Sequence, residues 1–221
     1  MIIAIDGPSG AGKGTVARGV AAKLGYTHID TGAMYRAVAW KALRDGIDLN
    51  DEDAVWKLTR DAQLLVKDGV VRIDGHDVAN AIRTPEIDAA AASVARQPRV
   101  REVLVDQQRR LGSSANIVME GRDIGTVVFP GADVKIYLDA SPEERARRRA
   151  QDPAHSAGRG GAAVHDITTA IRARDHSDRT RATSPLTAAA DAMVIDTTEL
   201  SIEEVIDRIL ALVASNGDPS A

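Results

Sequence analysis

The stretch Gly7-Pro8-Ser9-Gly10-Ala11-Gly12-Lys13-Gly14-Thr15 constrains this chain more than any other segment. It follows the run Met-Ile-Ile-Ala-Ile-Asp at residues 1–6 and opens a helical pattern through Val16, Val20 and Leu24. Strand, glycine-rich loop and helix in that order form the context of a phosphate-cradling loop. Glycines let the backbone curl so that successive N–H groups converge on phosphate oxygens, and the helix N-terminus adds its partial positive charge. Lys13 then supplies a mobile point charge for β- and γ-phosphates. The spacing Gly7-x4-Gly12-Lys13 fits the pattern, but Gly14 stands where Ser or Thr is usual, and Thr15 comes one residue later. That Gly-Lys-Gly-Thr form points away from switch GTPases and towards kinases of small molecules. An ordinary glycine-rich turn at a helix start would not need all of these features together.

A chain of 221 residues suits one large α/β domain carrying small insertions, with enough length to bury a substantial core. Cysteine is absent, which excludes a disulfide framework, a thiolate zinc site and a cysteine nucleophile. No apolar run approaches the roughly 18 residues of a membrane span, and Met1 leads straight into a strand, so a cytoplasmic protein without a membrane partner is expected. A net charge of −4 argues against general nucleic-acid binding. Arginine greatly outnumbers lysine, which suits planar recognition of phosphate, although a bias of genome composition accounts for it equally well.

Strand-like runs at Ile2–Asp6, 26–30, 117–120, 134–138 and Met193–Asp196 alternate with helical patterns. This predicts a doubly wound, five-stranded parallel sheet covered on both faces. Ser141-Pro142-Glu143-Glu144 and Ser201-Ile202-Glu203-Glu204 read as capping boxes, the first with a proline in the first turn. Residues 64–78 suggest two short strands joined through Asp74-Gly75, a small antiparallel insertion, followed by a helical stretch over 85–96. Residues 151–165, with Pro153, Gly158, Gly160 and Gly161, lack apolar periodicity and read as a mobile loop or short lid. After Val213 the sequence reads as a frayed tail. The expected organisation is one domain: a core of 1–36, 98–150 and 166–214, an acceptor-binding insertion over about 37–97, the lid, and a tail over 215–221. No long amphipathic stripe is left over after the core, so a monomer is favoured.

Four further strings converge on one family: Asp-Thr-Gly-Ala-Met-Tyr-Arg from Asp30, Glu-Gly-Arg-Asp-Ile-Gly-Thr-Val-Val-Phe-Pro from Glu120, Val-Lys-Ile-Tyr-Leu-Asp-Ala-Ser from Val134, and Arg-Asp-His-Ser-Asp-Arg-Thr-Arg from Arg174 with Ser184-Pro185-Leu186 behind. With the loop, they strongly resemble the bacterial cytidylate kinases from residue 2 to about 212. The resemblance implies transfer of a phosphoryl group from ATP-Mg to CMP and dCMP, in pyrimidine nucleotide metabolism. Mg²⁺ would arrive with ATP, held through phosphates, Thr15 and waters, since the five histidines show no ligand spacing and no protein-held metal is expected.

The residues agree with that expectation on physical grounds. Ligands of doubly wound sheets sit beyond the carboxyl ends of the strands, where Asp30-Thr31, Glu120–Asp123 and Asp139-Ala140 all fall beside the loop. Transfer between two nucleotides gathers about six negative charges, so a clamp of guanidinium groups is what the electrostatics require. By resemblance, Gly7, Pro8, Ser9, Gly10, Ala11, Gly12, Lys13, Gly14, Thr15 and Arg149 bind ATP. Arg36, Arg122 and Arg181 hold the acceptor phosphate, Asp123 and Arg101 read the base, Asp178 holds the sugar, and Thr31 contacts the nucleotide near its base. Lys13, Arg122 and Arg181 act on the transferred group. A carboxylate facing the cytosine amino group, with a guanidinium facing N3 and O2, matches cytosine and mismatches uracil. Thr31 reads equally well as a helix cap and Asp178 as a solvated acid. Other small-molecule acceptors, and a binding module that holds ATP without an acceptor, are the competing functions.

Overall fold

In a computed structural model of the chain, residues 1–113, 116–152, 164–181 and 183–217 are described. The loop follows strand β1 (Ile2–Asp6) and opens helix α1 (Lys13–Leu24). Strand β2 (Thr27–Asp30) and helix α2 (Thr31–Arg44) complete the first unit. Helix α3 (Glu52–Asp61) precedes three short strands, β3 (Leu64–Lys67), β4 (Val70–Ile73) and β5 (His76–Asp77). Helices α4 (Pro85–Val94) and α5 (Pro98–Gly112) lead to β6 (Ile117–Gly121) and a π-helical turn over Ile124–Val128. Strand β7 (Val134–Asp139), helices α6 (Pro142–Gln151) and α7 (Val164–Thr180), strand β8 (Met193–Asp196) and helix α8 (Ile202–Gly217) follow.

The main sheet has the order β2-β6-β1-β7-β8 and is parallel throughout. Central strands buried on both faces read as continuous apolar runs, and β1 and β6 do so. Ile3 and Ile5 pack with Val16, Val20, Val205 and Ile209 of α1 and α8. Ala4 points the other way, with Ile29, Met119 and Val105 of α5. The register aligns Asp30 with Glu120 and Asp6 with Gly121, so the acids at the strand ends stand side by side above one edge of the sheet.

The small sheet departs from expectation. Residues 64–78 form three strands, not two, because Asp68-Gly69 makes a second tight turn ahead of Asp74-Gly75. Both turns have positive φ at both residues, 48° and 83° in the first and 48° and 79° in the second, as the twist of a two-residue hairpin demands. Helix α4 stops at Val94, short of Arg96, and Pro98 starts α5. The tail departs too, since α8 continues beyond Val213 to Gly217. The predicted lid falls largely on residues 153–163, which lie outside the described residues.

Capping is half as predicted. Ser201 and Glu204 form the reciprocal box, at 3.2 Å and 2.8 Å. Ser141 accepts from the Glu144 N–H at 3.2 Å, but the Glu144 carboxylate turns to Arg147 and Arg148 instead of returning the bond. The Ser141 N–H donates to Thr198. On the same helix, Arg145 is buried and pairs with Asp175 of α7 at 2.6 Å while donating to the carbonyls of Ala140 and Ser9. Breaking such a pair from one side strands a buried charge and costs about 3–5 kcal/mol. Arg145→Met is therefore expected to lower Tm by roughly 6–20 °C for a chain of this size. Replacing Asp175 by Leu as well should recover part of the loss, and scanning calorimetry of the two variants checks both.

Candidate active site

The loop is held from behind by three cations. The carbonyls of Gly7, Pro8 and Ser9 accept from Arg122 (3.1 Å), Lys13 (2.7 Å) and Arg145 (3.1 Å). Peptide planes pinned by their carbonyls aim their N–H groups to the opposite side, where an anion can lie. Gly7 admits no side chain, because a Cβ would sit 2.0 Å from the Leu138 carbonyl oxygen. Gly7 and Pro8 thus form the back of the loop, whereas Ser9–Thr15 line a cleft of about 770 Å³.

Thr31, Arg36, Arg101, Arg122, Asp123, Arg149, Asp178 and Arg181 line the same cleft. Their charges alternate in one chain of contacts. Arg101 pairs with Asp123 at 2.5 Å, Asp123 faces Arg181 at 3.8 Å, Arg181 faces Asp178 at 4.0 Å, and Asp178 binds Arg122 at 3.0 Å. Tyr35 backs this end, its ring centre 5.6 Å from the Arg101 guanidinium. Burial opposes ionisation of Asp178, but Arg122, Arg174 and Arg181 overcome it and hold its carboxyl below the usual range. Asp178 is therefore a clamped acid and not a solvated one.

Arg36 binds Asp30 at 2.9 Å. Asp30, not Thr31, caps α2 by accepting from Ala33, and the Thr31 hydroxyl donates to the Glu120 carbonyl at 2.7 Å. Arg149 is paired with Asp88. Arg147 and Arg148 are engaged by Glu144, and Arg148 also by Thr197.

Several site residues were not singled out from sequence. Arg174 lines the cleft, and burial and Arg122 push its guanidinium down to about 10. Its signal lay in the spacing 174, 178, which places Arg174 and Asp178 one turn apart on one face of α7, with Arg181 just past the helix end. Arg83 and Asp88 carried no local signal. Asp6 accepts from the N–H groups of Ile124 (2.8 Å) and Gly125 (2.7 Å), fixing the segment just after Arg122 and Asp123. Burial pushes its carboxyl up to about 6. His28 and Glu120 meet at 3.0 Å beneath α1.

The cleft is short of anions. The Nε of Arg36, Arg101 and Arg174 and an Nη of Arg181 are buried with no hydrogen-bond partner among the described residues. Burial, then the charge of Arg122, push the Lys13 ammonium down to about 7, against the pull of Glu120 and Asp6. These features define the class: a phosphate-loop α/β protein whose site takes polyanions.

Comparison with known proteins narrows the class. The chain belongs to the cytidylate kinase family, whose family model matches residues 3–215. A cytidylate kinase from Solibacter usitatus is 48% identical over 97% of this chain and 93% of its own length. One from Pelotomaculum thermopropionicum is 49% identical over 96% of each. A solved shikimate kinase from Bacteroides thetaiotaomicron shares the fold, with a TM-score of 0.53 over 97% of this chain and 98% of its own, at 14% identity.

The Lys13 environment carries a sign that can be measured. Burial and Arg122 destabilise the Lys13 ammonium in the free protein, holding it down to about 7, and a bound polyanion favours the charged form. Binding of inorganic tripolyphosphate at pH 8 should therefore take up about one proton more than in Lys13→Arg, whose guanidinium stays charged. Titration calorimetry in two buffers of different ionisation heat gives the count, and equal uptake by both proteins would contradict a depressed Lys13.

Proposed function

We propose that this chain transfers the γ-phosphoryl group of ATP to CMP and dCMP, giving CDP and dCDP. The observation that carries the reading is the run of alternating charges that begins beside Lys13 and ends at the Arg101–Asp123 pair within one cleft. Kinases with neutral acceptors have no use for a guanidinium and a carboxylate side by side at the far end of such a cleft. A module that only held ATP would not need an arginine clamp opposite the loop.

In this reading the triphosphate lies on Ser9–Thr15 with Lys13 at its β,γ end, and Mg²⁺ enters as part of the ATP substrate, completed by Thr15 and waters. Arg149 faces the triphosphate from α6. Arg36 and Arg122 hold the acceptor phosphate. Arg174 joins them, since it lines the same cleft and its Nε is buried without a hydrogen-bond partner among the described residues. Arg181, between Asp123 and Asp178, stands where phosphate clamp meets base reader. Asp178 receives the sugar, and Thr31 borders the base. No general base is required, since the acceptor phosphate has a second pKa of about 6 and is largely ionised at pH 7. Residues 37–97 serve as the acceptor-binding insertion. The reading includes a cytoplasmic monomer; separately, no helix among the described residues is long and apolar enough to cross a membrane.

Coupled ADP release over CMP, dCMP, UMP, AMP and shikimate tests the assignment. Release with CMP and dCMP well above the others is expected, and ADP release that no acceptor stimulates would overturn it. Lys13→Ala should lower kcat at least about a hundredfold with an unchanged melt, the usual cost of losing a transition-state contact of about 3 kcal/mol.

Base choice is tested separately. UMP sets a carbonyl against Asp123 where CMP offers an amino donor, and a buried acceptor left facing another acceptor costs about 1–3 kcal/mol, so CMP should lead by about one to two decades in kcat/KM. Asp123→Asn can turn its amide towards uracil and should narrow the CMP/UMP ratio about tenfold or more. Arg122→Ala should instead weaken both acceptors alike, and an unchanged ratio in Asp123→Asn removes Asp123 from base reading.

A further inference from the structure

His28 lies on the edge strand β2, away from the acceptor cleft, and the phosphoryl-transfer reading gives it no part. Its surroundings are unusually specific. The backbone is pinned on both sides by one residue of the small sheet's first turn: Asp68 accepts from the His28 N–H at 2.9 Å and donates its own N–H to the His28 carbonyl at 3.0 Å. The side chain is buried, and Nε2 donates to Glu120 Oε1 at 3.0 Å. Nδ1 has no partner among the described residues, so this one bond is what the ring makes.

Glu120 is equally confined. Its carbonyl takes the Thr31 hydroxyl, and its side chain shares the sheet face of Val118, the face covered by α1. The oxygen that His28 holds, Oε1, is also the atom nearest to Gly14, 3.1 Å from where a Cβ on that glycine would stand. Gly14 follows Lys13. The carboxylate therefore sits under the first turn of α1, where its charge favours the Lys13 ammonium amid Arg122 and Arg174.

We propose that His28 is a positioning residue for phosphoryl transfer: it holds the Glu120 carboxylate against Gly14 and so keeps a counter-charge fixed beneath Lys13. Asp68 makes this possible by fixing the His28 backbone to the small sheet, so that the imidazole cannot follow Glu120 if the carboxylate turns. The inference rests on the kinase reading, and the parent enzyme separates the two: if it releases no ADP with CMP, the reading itself fails.

The test is a double-mutant cycle read by steady-state kinetics with CMP at saturating ATP. His28→Leu should lower kcat about tenfold with KM for CMP within about threefold, since the acceptor end is untouched. His28→Gln, whose amide can still donate to Glu120, should recover most of that kcat. In a Glu120→Gln background, His28→Leu should cost little more, because both changes remove the same held carboxylate. His28→Met, which fills the site without a donor, replaces His28→Leu should the latter not fold. Parental kcat in a folded donor-less variant, no recovery in His28→Gln, or a full second loss in the Glu120→Gln background would each overturn the proposal.

Discussion

Lys13 sits buried with its ammonium on the Pro8 carbonyl, facing the guanidinium of Arg122 and within the field of Arg174. Three like charges in a low-dielectric cleft repel strongly, and this repulsion organises everything around them. Part of it is offset by the loop itself, whose carbonyls at Gly7, Pro8 and Ser9 each receive a cation. The same three bonds that quiet the cations also turn the loop's N–H groups towards the ligand. One set of contacts therefore both assembles the phosphate cradle and leaves it wanting an anion.

The acids keep the remaining arginines apart. Asp30 holds Arg36, Asp88 holds Arg149, Asp178 holds Arg122, and Asp123 holds Arg101. Each pairing offsets a guanidinium with a carboxylate that offers two acceptor oxygens, fewer than the three of a phosphate. The unpartnered Nε atoms of Arg36 and Arg174 are buried donors left without a hydrogen bond among the described residues. A substrate phosphate thus completes hydrogen bonding that the protein alone leaves open, which favours binding over an empty, fully paired site.

What could be seen in the sequence was local. Strand β1, the loop and α1 are contiguous, and their apolar and glycine patterns fix them without help from the rest of the fold. Asp74-Gly75 was legible as a turn, and Asp68-Gly69 has the same chemistry, but Leu64–Lys67 is too short a strand to draw attention to the turn after it. Ser141 and Glu144 satisfied the capping-box pattern, yet the Glu144 carboxylate is better served by two guanidinium groups than by one backbone N–H. Thr31 was a plausible cap because a strand ending at Asp30 leaves either residue beside the first turn, and the pattern does not say that the Asp30 side chain is the one that reaches Ala33. The roles of His28 and Asp88 were invisible. Each depends on partners far away in the chain, brought close only by sheet register and helix packing.

Gly14 joins the local and the distant levels. Read alone, it is a departure from the Ser or Thr usual at that position, with the hydroxyl displaced by one residue to Thr15. In the fold, a Cβ at position 14 would press on a Glu120 oxygen that His28 already holds. Placing the hydroxyl at Thr15 instead leaves the carboxylate undisturbed and the hydroxyl exposed at the start of α1, available to the ligand side. Gly14 thus meets a side chain more than a hundred residues away in the sequence, so a substitution there is felt by the sheet beneath the loop as well as on the ligand side.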